Sequence, residues 1–430
     1  MNRRTLLRAA AALTATSALG CRAEETAMAT KTTAGTASSP VREAIAGCIA
    51  RSELPGAAWA VGRGGDVHFG TEGALRIGGS APVREDTLFR IASMTKPMVA
   101  AVAMMLVDDG VLRLDAPVTR WLPELAERRV LARLDGPLTD TVPAQRTITV
   151  DDLLSFRMGF GLLWGKSGLP IQRAEKELHL GAFGPPRPQV PPATDEWMRR
   201  FATLPLMAQP GERWLYQTSA EVMGVLVARA SGKPLEVVMR ERLFGPLGMN
   251  DTGFFVPAEK MARLTTSYMA SGKDGALELY DEAEGGDWSR PPAFPSAGGG
   301  LVSTVRDCAA FARMMNAGGT LGGQRILSAT SVSAMTRDHI PAAQKVASAG
   351  SLDPEFWDHY GWGLGVSVVT HEEPEGPRGV GWDGGLGTSM WWDPKTQSFG
   401  VLLTQRSAYP KTSRVYRDFW RTAKAETSAA

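Results

Sequence analysis

Histidine and cysteine are scarce in this 430-residue chain, with five and three copies. None of His68, His179, His339, His359 and His371 falls at a metal-ligand spacing such as H-E-x-x-H, which argues against a catalytic zinc centre. No serine has glycine both two before and two after it, so a G-x-S-x-G elbow carrying a Ser-His-Asp triad has no foothold. Long runs of Lys or Arg are also missing and the formal net charge is +2, so nothing points to nucleic acid. Gly165-Lys166-Ser167 spells the end of a phosphate-binding loop, but the glycine required five places earlier is Phe160. There is no internal repeat.

The first forty residues read as a segment outside the fold. Arg3-Arg4 and Leu6-Leu7 precede a small, apolar run from Ala9 to Leu19, too short to span a bilayer stably. This is the pattern of an export signal, of twin-arginine type, and predicts a periplasmic or secreted protein. Cys21, after Ala18-Leu19-Gly20, is a candidate lipid anchor. The stretch 22–40, rich in Ala, Thr and Ser, reads as a flexible leader. Only Cys48 and Cys308 remain beyond it, both in apolar helical surroundings, and are read as buried free thiols.

Beyond the leader the pattern is mixed. A helix is expected over Val41–Ala50, then a hairpin of strands Ala57–Val61 and Asp66–Thr71 around Gly62-Arg63-Gly64-Gly65. Helices follow from Ile148, from Thr194, over Thr218–Ala230 and over Val305–Asn316. Strands are expected over Trp362–Val369, Gly379–Trp382, Thr388–Asp393 and Ser398–Thr404, then a last helix over Ser413–Ala425. Strands at both ends with helices between them predict an α+β fold with one antiparallel sheet built from both termini. The expected division is an α/β unit of residues 41–140 and 290–430 and a mainly helical unit of 141–289. Six prolines between Trp164 and Trp197 predict an irregular excursion there, with Trp164, Leu169 and Phe183 as candidates to line an acyl site.

One stretch organises the rest. In Ser93-Met94-Thr95-Lys96 the serine and lysine stand three apart at the head of an apolar run ending at Val107, before Asp108-Asp109-Gly110. It is the only Ser-x-x-Lys in the chain. Residues i and i+3 share a helix face, so the lysine lies against the serine hydroxyl. Burial in so apolar a helix disfavours the ammonium, and a neutral lysine can take the serine proton. Helix N-terminal N–H groups would meet a developing oxyanion.

Two further stretches complete a constellation. In Trp214-Leu215-Tyr216-Gln217-Thr218-Ser219 the tyrosine precedes a helix that Thr218-x-x-Glu221 is expected to cap. Beside a lysine ammonium a phenolate is favoured, which makes Tyr216 a candidate general base. Gly381-Trp382-Asp383-Gly384-Gly385 lets backbone approach a substrate closely and offers an N–H to an oxyanion.

In this order the three stretches resemble the serine β-lactamase and penicillin-binding-protein superfamily, most of all its class C β-lactamases and family VIII carboxylesterases. Thr87-Leu88-Phe89-Arg90-Ile91-Ala92-Ser93, Pro246-Leu247-Gly248-Met249 and Gly298-Gly299-Gly300 share the likeness, which covers residues 41 to 425. The resemblance implies that Ser93 is acylated, Lys96 is its proton partner and Tyr216 is the general base. It places the third motif on Trp382-Asp383-Gly384, with the N–H groups of Ser93 and Gly385 as the oxyanion hole. Lys166-Ser167-Gly168 spells that motif better but precedes Tyr216. Where lactamases and peptidases carry Lys or His, this chain has Trp382, and Thr218 replaces the asparagine of their Tyr-x-Asn. Both changes favour neutral, apolar substrates, so the implied activity is hydrolysis of small-molecule carboxylic esters through an acyl-enzyme, with no cofactor or metal. The rival readings are β-lactam or D-alanyl-peptide cleavage, with Arg406 as a substitute carboxylate anchor, and a non-catalytic binding module.

Overall fold

The computed structural model describes residues 32–34, 39–181, 184–352, 355–410 and 413–429. The export signal, Cys21 and Phe183 lie outside the described residues.

Eight strands form the main sheet: β1 (Thr32–Ala34), β2 (Gly56–Arg63), β3 (Asp66–Gly73), β4 (Tyr360–Trp362), β5 (Ser367–Val369), β6 (Val380–Gly384), β7 (Thr388–Asp393) and β8 (Ser398–Thr404). Their spatial order is β1-β3-β2-β8-β7-β6-β5-β4, antiparallel throughout except for β1 beside β3. The chain's two ends meet mid-sheet, where β8 pairs with β2 from Ser398↔Arg63 to Thr404↔Ala57. Residues 56–62 of β2 are buried in succession, as expected of a strand covered on both faces.

The two faces are visible in the alternation of side chains along β7. Trp391 packs with Trp59, Leu402, Phe419 and Trp420 under helices α1 (Pro40–Ala50) and α5 (Val415–Ala429). Its neighbours Met390 and Trp392 join the larger core on the opposite face. That core holds α2 (Thr95–Asp108), α3 (Thr218–Ser231) and α4 (Val305–Asn316). Ser39 starts α1 by accepting from the Arg42 N–H at 3.4 Å, and its own hydroxyl donates to Glu426 of α5 at 2.6 Å. Thr304 caps α4 through the Asp307 N–H at 3.2 Å. Cys48 and Cys308 are free and buried, and burial pushes their thiols up to about 11 and about 12.

Three expectations need correction. The run from Trp362 to Val369 is two short strands rather than one, folded back at Gly363–Val366. Gly365 has φ of 74°, and a Cβ there would lie 2.3 Å from that of Ala100, so the turn packs directly on α2. The proline-rich excursion is not wholly irregular, because Pro170–Glu177 is a helix with proline at its first turn and Ile171 buried. A second sheet went unread: Ser267–Ala270 pairs with Glu278–Asp281 and with Arg406–Pro410.

Phe419 is fully buried between α5 and the sheet. Phe419→Ala should lower unfolding free energy by about 3–5 kcal/mol, read as a reduced urea midpoint at unchanged slope. A loss below about 1 kcal/mol would mean that α5 is not an integral part of the core.

Candidate active site

Ser93 sits where a strand turns into α2. Phe89-Arg90 pairs with Val302-Ser303, and the Ile91 N–H donates to Leu301 O at 3.0 Å. Arg90 is held by a buried ion pair with Asp281 and donates to Thr265 O at 2.6 Å. The backbone then passes through Ala92 at φ 43°, an unfavourable region for a residue with a Cβ, into a 3-10 turn over Ala92–Met94 that continues as α2. Thr95 fastens the turn, donating to Ala92 O at 2.7 Å and accepting from the Leu301 N–H at 3.2 Å.

Twelve consecutive residues of α2, Thr95 to Leu106, are buried, and Lys96 is among them at 0 % exposure. Its Nζ contacts Ser93 Oγ at 2.9 Å, Gln217 Oε1 at 2.7 Å and the Gly298 carbonyl at 2.5 Å. Desolvation pulls the ammonium down to about 7, while the charge of Glu221 opposes that fall. Burial thus favours the free amine, and its nitrogen lies in contact with the Ser93 hydroxyl.

Tyr216 reaches the same place from the chain entering α3. Its ring faces Lys96 Nζ, 4.4 Å from the centroid. Its hydroxyl oxygen accepts from the indole N–H of Trp382 at 2.7 Å. The capping box expected for α3 is not formed. Instead Gln217 adopts φ 81°, ψ −69°, and the Thr218 N–H donates to Tyr216 O at 3.2 Å, which makes a strained γ-turn. Thr218 is 1 % exposed, with its hydroxyl unbonded among the described residues, so it faces the interior rather than a substrate. The side chain this motif contributes is Gln217. Glu221, expected as part of the cap, accepts from Gln217 Nε2 at 3.0 Å, Ser296 Oγ at 2.8 Å and the Gly298 N–H at 3.2 Å.

The third stretch arrives on β6. A Cβ on Gly384 would lie 2.3 Å from Ile91 O, so only glycine lets this strand end pass against the serine turn. Thr388 Oγ1 ties the two by donating to Ile91 O at 3.0 Å, and Tyr416 of α5 braces the strand end by donating to Thr388 O at 3.1 Å. Strand alternation separates the next two residues. Trp382 turns to Tyr216, whereas Asp383 points to the other face and accepts from Ser389 Oγ at 2.6 Å and Trp391 Nε1 at 2.8 Å. Asp383 therefore does not border the reacting groups. The N–H groups of Ser93 and Gly385 donate to no carbonyl among the described residues, as oxyanion donors require.

Around Tyr216 stands an aromatic wall that the sequence pattern did not reveal. Trp382 packs against Trp362 at 4.8 Å and Phe356 at 5.9 Å between centroids, and Trp214 stacks on Tyr216 at 5.7 Å. From the excursion, Trp164 is 40 % exposed and Leu169 packs on the main core, so neither forms this wall. The excursion does meet the site at Pro186, since a Cβ on Gly299 would come within 3.1 Å of the proline ring.

The Beta-lactamase family model matches residues 41–423. An uncharacterized protein of Mycobacterium tuberculosis is 42 % identical over 334 residues, covering 76 % of this chain and 79 % of its own. Esterase EstB of Burkholderia gladioli is 32 % identical over 379 residues, covering 83 % and 87 %. The unliganded simvastatin synthase of Aspergillus terreus superposes with a TM-score of 0.74 at 20 % identity, covering 91 % of this chain and 99 % of that one, a likeness of fold.

Two outcomes test the geometry. Protonation removes the lone pair of Lys96, so the acylation rate of Ser93 should fall tenfold per pH unit below about 7. A stopped-flow pH series that stays flat down to pH ~5 would rule out Lys96 as the base. Gly384→Ala should slow acylation by about 10²-fold by pushing β6 from the serine turn, with the melting temperature measured alongside.

Proposed function

This chain belongs to the β-lactamase family, and from that premise and the geometry of Ser93 we propose that it hydrolyses neutral carboxylic esters through an acyl-enzyme. Neutral Lys96 takes the hydroxyl proton as Ser93 Oγ attacks the ester carbonyl. The negative charge that develops on the carbonyl oxygen is received by the N–H groups of Ser93 and Gly385. Collapse breaks the ester C–O bond, and the alcohol departs with a proton delivered through Tyr216, whose oxygen is oriented by Trp382. Water then attacks the acyl carbon, giving a proton to the Tyr216–Lys96 pair, and the Oγ–C bond breaks as that proton passes to Ser93 Oγ, releasing the acid.

The observation that carries the ester reading is the indole N–H of Trp382 on the Tyr216 oxygen, 2.7 Å away. A cation at this strand position would hold the carboxylate of an anionic substrate; an indole supplies the hydrogen bond without the charge and adds an apolar surface. Arg406, the other candidate anchor, is 6 % exposed; burial lowers its pKa, and the charges that oppose this are those of Glu53, Tyr416 and Cys48, on the face covered by α1 and α5. The relation to esterase EstB agrees with this choice. The basic start and apolar run before residue 20 support export, with Cys21 as an anchoring point.

The test is turnover of p-nitrophenyl acetate and butyrate beside a chromogenic cephalosporin, by wild type and Ser93→Ala. Ester turnover should drop by about 10³-fold or more in the variant, with little cephalosporin turned over by either. Cephalosporin hydrolysis as fast as ester hydrolysis would overturn the reading.

A further inference from the structure

Lys96 carries at most three N–H donors, and its three contacts are not equivalent. The Gly298 carbonyl is fixed backbone. A Cβ on Gly298 would lie 2.3 Å from Gln217 Nε2 and 2.4 Å from Glu221 Oε1, so these side chains close around it. Gln217 is held by its γ-turn and by the bond from its amide NH2 to Glu221. Burial pushes the Glu221 carboxyl up, and the donors Ser296 Oγ, Gly298 N–H and Gln217 Nε2, with the charge of Lys96, oppose that rise. As the carboxylate these donors favour, it only accepts, so the amide NH2 faces it and the amide oxygen faces Lys96. With two N–H groups directed to Gln217 Oε1 and Gly298 O, the remaining tetrahedral position of a neutral amine is a lone pair aimed at Ser93 Oγ. Glu221 is in turn fixed by Ser296 Oγ and the Gly298 N–H, and is 3 % exposed.

We propose that Glu221 and Gln217 are positioning residues, in which the buried carboxylate locks the amide and the amide aims the lysine lone pair at the nucleophile. This rests on Ser93 being the nucleophile, but on no particular substrate. The Glu221 charge does a second thing: acting directly on Lys96 it favours the ammonium form and so offsets part of the desolvation. The titratable groups facing Lys96 are Glu221 on α3 and Tyr216 before it; Asp281, nearby in the fold, is occupied by Arg90.

Two substitutions move the system in opposite directions. Gln217→Glu sets a carboxyl on Lys96 Nζ and, 3.0 Å away, on Glu221, where the pair shares one proton. The remaining charge then lies directly on Lys96, so the acid limb of Ser93 acylation should rise by about one pH unit or more. Glu221→Gln removes the buried charge, so the limb should move down. It also sets an amide NH2 against either the Gly298 N–H or the Gln217 NH2, and by turning Gln217 over should slow the plateau rate by about 10²-fold. The readout is the second-order rate of labelling by a fluorophosphonate probe across pH, with adduct mass confirming Ser93 and thermal melting of both variants. Opposite displacements of the limb in folded variants establish the assignment. Unmoved limbs, or slower labelling that follows only a lowered melting temperature, overturn it. If labelling behaves as stated while p-nitrophenyl esters are not turned over, the ester reading falls and the positioning role stands. Ester turnover with unmoved limbs gives the reverse.

Discussion

The burial of one ammonium group governs this structure. A lysine second in a run of twelve buried residues must find acceptors for its donors or give up its proton, and this one has both polar partners and a lowered pKa. Its three partners are the serine one turn earlier and, from distant parts of the chain, the amide before α3 and the Gly298 carbonyl. Each has been brought in at a local cost. Ala92 and Gln217 both take positive φ, and position 298 tolerates no side chain. Backbone strain of this kind persists only where surrounding contacts over-determine it. Thr95, Leu301 and the Arg90–Asp281 pair do so beside the serine, as Glu221 and Ser296 do beside Gln217.

The main sheet solves a different problem, which is to bring a strand from the end of the chain against a turn near its start. Pairing β8 with β2 joins the termini in the centre of the sheet, and the meander β8-β7-β6 then carries β6 toward Ser93. Contact at the end of β6 requires glycine, and a period of two fixes which side chain enters the site. That period gives Trp382 to Tyr216 and sends Asp383 to the helix-covered face, where Ser389 and Trp391 satisfy it.

Much of this was legible in the sequence because it depends on local pattern. The unique Ser93–Lys96 pair, the apolar run behind it, the limits of α4 and of β7 and β8, and two buried thiols all follow from spacing and composition. What was missed depends on contacts between segments far apart. Thr218-x-x-Glu221 reads as a capping box to any local rule, yet Glu221 is drawn away by Gln217, Ser296 and the Gly298 N–H, and the γ-turn leaves no cap to make. The signal was present as Gln217 and Glu221 four apart across the start of α3, but the lysine they meet lies 121 residues before Gln217. The aromatic wall was hidden likewise, since Phe356 and Trp362 meet Trp382 only after the chain doubles back at Gly365.

The presence of Trp382 rather than a cation also bears on how Lys96 is tuned. Two neighbouring ammonium groups depress one another's protonation, so a lysine at this strand position would help deprotonate Lys96 by repulsion. An indole cannot do that. Here desolvation alone drives the ammonium down, against the opposing charge of Glu221. Burial likewise pushes the Glu221 carboxyl up, and the hydrogen bonds from Ser296, Gly298 and Gln217, with the charge of Lys96, oppose that rise, so the donors that fix the amide also hold the carboxylate. The indole meanwhile retains the one contact the tyrosine requires, an N–H on its oxygen.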